Sequence, residues 1–269
     1  MSIFSGLNDA QVQAFTAGQI AGLPAAQIAD LGSDLARLTS GQIAALTTAQ
    51  IKVMQAGELS VKNIVGLTSQ QISALSDTQI SSMGLSQLGA VTSTQLSAFK
   101  PAQISKFSTA QIQALTTGAL AGLSGAQITE LTTTQAKALK PEQLSKLTNA
   151  QIAAFETQDI VALPEGQFAA LTSSQLSALT LDQTRALTNA QIQAITSANI
   201  VGLTSSQVAS LSTAQATALL PVQVTKMSSD QIGSLLPSQI TAMSVAQMGA
   251  IEGADLPALA LMTAATLPL

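Results

Sequence analysis

At 269 residues the chain is long enough for one large domain or two medium ones, yet it holds six Phe, no Trp and no Tyr, and only 9% of its residues are charged. The 46% apolar content is therefore mostly Ala, Leu, Ile and Val, which does not suit an ordinary compact globule. The absence of His and Cys excludes His or thiolate zinc sites, iron–sulfur clusters, Cys nucleophiles, Ser-His-Asp triads and His-ligated haem. A net charge of −4 and a pI near 4.6 argue against nucleic acid as a partner.

From the N-terminus, the segment MSIFSGLNDAQVQAF lacks a basic stretch and a continuous apolar run, so no Sec-type signal peptide is expected there. One eight-residue pattern, L-T-x-x-Q-I-x-A, then runs almost to the other end. With Leu at slot one, Thr falls at slot two, Gln at slot five, Ile at slot six and Ala at slot eight. From Gln11 to Asp255, slot five is Gln in most copies. The register loses one position around Leu31 to Arg37 and three around Met54 to Lys62. The sequence thus reads as one repeat domain over 1–269, irregular over 31–62, regular over 63–255, and ending in an apolar segment at 256–269. That last segment is too short to span a membrane and contains Pro257 and Pro268.

Ala, Leu and Gln favour helix over strand, but a continuous helix fails. Eight residues advance roughly 800°, so the Leu/Ile stripe would rotate about 80° at every repeat. The helix must be interrupted once per octad, and slot two shows where. It is Ser or Thr in most octads, followed three positions later by Gln, and S/T-x-x-Q is a capping box. At Lys100, Lys140, Leu220 and Leu236 the cap is missing, but Pro101, Pro141, Pro221 and Pro237 follow, and Pro at the first helical position is an alternative start. The prediction is an all-α solenoid of short capped helices, one per octad, with corners at slots one and two. Slots one and six point inward, and Gly66, Gly122 and Gly202 at slot eight permit close backbone approach.

A 40-residue period of five octads overlies the first. It aligns Pro101, Pro141 and Pro221, then Lys106, Lys146 and Lys226, then Ala119, Asp159 and Asn199. Either five octads carry the chain an integer number of times round, or the blocks record duplication without geometric meaning.

Chemistry-bearing residues are sparse. Glu142, Glu156, Asp159 and Glu165 form the densest acidic group and read as a solvated face; no calcium loop or nucleotide loop occurs. Lys100, Lys106, Lys140 and Lys146 form a short basic stripe, suited to an acidic polysaccharide, on condition that five octads make one coil. Gln at slot five is explained by capping, as are its replacements Asp34, Glu58, Asn63, Asp159, Asn199 and Asp255.

Octads such as those in LTNAQIAAF and LTSSQLSAL resemble the repeats of large bacterial exoproteins and adhesin-like proteins, over nearly the whole chain. The resemblance implies a secreted or surface-associated protein, exported without an N-terminal signal or through an uncleaved C-terminal one. Haem-related labels attach to some such proteins, but with no His, Cys or Tyr no cofactor is expected here, and no metal. The expected function is structural or adhesive and non-enzymatic, with copies stacking end to end on one another or on a cell surface. The alternatives are an intracellular protein-binding scaffold, a carbohydrate- or ice-binding solenoid, and a lyase or hydrolase built on such a frame.

Overall fold

The computed structural model describes residues 2–251; Asp255 and the apolar segment 256–269 lie outside them. Two compact units, Met1–Ala138 and Leu139–Leu269, are built from the same octads. Among the described residues every regular element is a helix, three to six residues long, and none is long and apolar enough to cross a membrane.

Local chemistry sets the boundaries as expected. In the octad from Leu187 to Ala194, Leu187 and Thr188 are extended (φ −55°, ψ 140° and φ −75°, ψ 156°), and the helix Asn189–Ala194 follows. The Thr188 N–H donates to Gln191 Oε1 at 3.0 Å, and the Gln191 N–H donates to Thr188 Oγ1 at 3.1 Å, so both halves of the box are present. Where Pro occupies the first turn, half the box survives: the Lys100 N–H donates to Gln103 Oε1 at 2.6 Å, while the Gln103 N–H turns to the Lys100 carbonyl.

Helices this short are unstable alone, and stacking supplies what they lack. Slot-six residues such as Ile72, Ile112, Ile152 and Ile192 are at most 1% exposed, and slot-one residues such as Leu75, Leu115 and Leu187 at most 4%. Full burial of each such side chain is worth about 1.5–3 kcal/mol. In the first unit Thr109–Ala114 packs on Thr133–Ala138, and in the second Asn189–Ala194 packs on Thr213–Ala218, three helical elements further on in each case. A Cβ at Gly66, Gly122 or Gly202 would collide with the carbonyl oxygen of Ser40, Ser93 or Ser173, so neighbouring coils touch backbone to backbone at these slot-eight glycines.

The coil itself differs from the five-octad expectation. Stacked residues lie 28 to 31 positions apart in both units, as in the contacts of Gln95 with Ile64 and Leu67 and of Gln191 with Ile160 and Leu163. The lower value is three and a half octads, so the five-octad sequence period is not a whole number of turns. Each helix start consequently sits over a corner of the coil below.

Candidate functional site

The most regular polar array in the molecule is the slot-five glutamine row, and it is internal. Gln71, Gln111, Gln151, Gln191 and Gln231 are all at most 4% exposed. Their Oε1 atoms serve as the sequence implied. The Nε2 atoms of the row do something capping does not require: they reach into the preceding coil and donate to the carbonyls of slots six and one. Gln191 Nε2 donates to Ile160 at 2.8 Å and Leu163 at 3.0 Å, and Gln111 Nε2 donates to Ile80 at 2.9 Å and Met83 at 2.8 Å. One amide therefore closes its own helix and fastens the coil to its neighbour. Leaving such buried groups unpaired costs about 1–3 kcal/mol each.

The register shifts make the same point. Gln42 and Gln50, whose span crosses the first shift, reach back 30 and 27 positions, to Val12 and Phe15 and to Ile20 and Leu23. Gln71 and Gln79, whose span crosses the second, reach back 28 and 25. Beyond both, the offsets settle at 31 and 28. The shifts are taken up by 3-10 turns at Gly32–Arg37 and Ala56–Glu58, so the partner carbonyls remain those of slots six and one.

Within the first shift the row has no glutamine, and Arg37 replaces it. Its guanidinium donates to the Leu7 carbonyl at 2.5 Å and the Phe4 carbonyl at 3.5 Å, the slot-one and slot-six pair that a glutamine at position 34 would serve. It is steered there by Asp34 at 3.0 Å and Asp9 at 2.7 Å. Hydrogen bonds from the Ser2 hydroxyl and from Arg37 hold the Asp34 carboxyl below its ordinary value, and the two aspartates raise Arg37. Sequence reading left Arg37 without a role. The available signal was an arginine three positions after an acidic residue at slot five, in a chain with only two arginines.

Shorter replacements do less. Asn199 Nδ2 donates to one carbonyl, Leu171 at 2.9 Å, and Asn63 Nδ2 to Leu35 at 2.9 Å, while Ala119 has no side-chain donor. The capping expected at Asp34, Glu58 and Asn199 gives way to 3-10 turns whose first residues make no side-chain cap bond. Asp159 departs from the solvated acidic face expected of its group: it is 1% exposed because slot five points inward, whereas Glu142, Glu156 and Glu165 are exposed. Among the described residues no group of acidic side chains is placed to hold a metal ion.

Of the basic residues singled out, Lys100 and Lys106 lie on one octad of the first unit, and Lys140 and Lys146 on one octad of the second. All four are exposed. Lys100 and Lys140 cap helices through their backbone, and Lys106 Nζ lies 3.4 Å from Asp77 of the preceding coil. Their stripe required a five-octad coil, which neither unit has. The outward slots are otherwise filled mainly by Ser, Thr, Ala, Gln and Pro.

These features define an α-helical solenoid protein whose unit is a capped octad fastened by a buried glutamine. A family model described as the ALTTAQ repeat matches residues 88–125 and 152–189, so the chain carries a repeat region similar to that family. The second match begins eight octads after the first, which is not a whole number of five-octad blocks, so the octad is the shared unit. A search of curated proteins found no match.

Proposed function

We propose that the protein is a non-enzymatic structural or adhesive solenoid that acts at the cell surface or in the medium. The observation that supports this reading is the use of the glutamine row. The one polar array regular enough to recognise a repeating ligand is buried and bonded to backbone, so it builds the frame and leaves a surface of small, mostly uncharged side chains. The resemblance of the octads to those of bacterial exoproteins favours the outer location.

Fractionation of the producing cells tests it. Protein is expected in the surface wash or the medium; recovery in the washed cytosol alone would overturn the surface reading in favour of an intracellular scaffold. Turnover of a polysaccharide panel, lost on changing Glu142 or Glu156 to Gln, would overturn the non-enzymatic one.

A further inference from the structure

The first coil differs from the others in how its glutamines are used. Gln11 and Gln19 form the same capping boxes, with Oε1 accepting from Asn8 at 2.9 Å and from Thr16 at 2.8 Å. Both side chains are nevertheless exposed, and their Nε2 atoms have no acceptor among the described residues. The slot-one residues Leu7, Phe15 and Leu23 are only half-buried, where Leu75, Leu115 and Leu187 are buried. This edge therefore presents a row of amide donors beside incompletely covered apolar side chains.

The last described octads present the converse. Every coil offers slot-six and slot-one carbonyls to the glutamines of a later one, and among the described residues no glutamine meets Ile240 and Met243 or Met248 and Ile251. Ile240 and Met248 are only partly buried, unlike the slot-six residues of inner coils. Leu236 is 43% exposed and Val245 91%.

We propose that these two edges dock on each other between copies of the chain, head to tail, with Gln11 on the Ile240 and Met243 carbonyls and Gln19 on those of Met248 and Ile251. The proposal deepens the structural reading above and rests on it. The contact repeats between copies the bond that holds each coil to the next within one copy. It joins two different surfaces, so it leaves an edge free after each addition and grows unless the rotation closes a ring. The partner is thus a second copy, recognised by amide donors spaced one octad apart.

Sedimentation of the full chain over several decades of concentration tests this. The weight-average mass is expected to rise steadily past the dimer. Gln11→Glu with Gln19→Glu keeps each Oε1 acceptor, and so each cap, but replaces the donor by a carboxylate facing carbonyls. It is expected to weaken association at least about tenfold, the loss of one or two hydrogen bonds. Val245→Glu, at a side chain open to solvent and at a helix start that favours an acid, is expected to weaken it also. Gln113→Glu, exposed at slot seven of an inner octad, should leave it unchanged.

A chain that stays monomeric throughout, a dimer that stops growing, or association indifferent to the paired substitution would each overturn the docking. A helical monomer found at the cell surface would leave the structural reading standing. A helical, self-associating chain found only in the cytosol would do the reverse.

Discussion

Gln19 and Gln191 occupy the same slot of the same motif, T-x-x-Q, and cap their helices with the same geometry. One is exposed and ends its work there; the other is 2% exposed and binds two carbonyls of the coil below. The motif alone therefore states only half of what the residue does. The other half depends on a coil lying beneath it.

The largest expected effect follows from that difference. Gln191→Leu strands the Thr188 N–H and the Ile160 and Leu163 carbonyls together, at about 1–3 kcal/mol each, so a loss on the order of 4 kcal/mol is expected in urea titration. Gln19→Leu removes only a solvent-accessible cap and should cost about 1 kcal/mol or less. Equal losses at the two sites would dissolve the distinction between them.

Arg37→Met comes next, and should fall between those two because it releases the Phe4 and Leu7 carbonyls while leaving Asp9 and Asp34 without their cation. It carries a pH signature. The Asp34 carboxyl titrates below its ordinary 3.8 when folded, so its contribution is present above that pH and is lost as the pH falls through the lowered value. The acid limb of stability should be shallower in Arg37→Met than in the parent protein, read from denaturation midpoints across that range.

Capping alone sits lower. Thr188→Ala should cost about 1 kcal/mol and Thr188→Asp almost nothing, since Asp is as good a cap. Asn189→Ala, at an outward slot, should be silent by the same titration. Thr188→Ala as damaging as Gln191→Leu would mean that the box, not the bond between coils, holds the array.

Much of the fold was legible because it is local chemistry. Thr188 and Gln191, Pro101 after an uncapped Lys100, the inward Ile192 and the close approach at Gly122 all follow from spacings within one or two octads. The coil was not legible. Its length depends on how far the two extended positions at each corner turn the chain, and any side chain that fits slots one and two permits a range of turns. The alignment of Pro101, Pro141 and Pro221 at the five-octad period records sequence history more plainly than geometry. The second role of glutamine was hidden for the same reason, because its acceptors are named only once the coil is known. Arg37 was hidden further, since its equivalence to a glutamine appears only when Phe4 and Leu7 are seen as a slot-six and slot-one pair.

The central claim, that the glutamine amide nitrogen fastens coil to coil, is tested most directly by Gln191→Glu. The substitution preserves volume and the acceptor for Thr188 while removing only the donor to Ile160 and Leu163. At neutral pH it should destabilise the protein far more than Thr188→Ala, and acidification should recover part of the loss as the introduced carboxylate takes up a proton it can donate. A urea midpoint no lower than that of Thr188→Ala, and unchanged by pH, would contradict the claim.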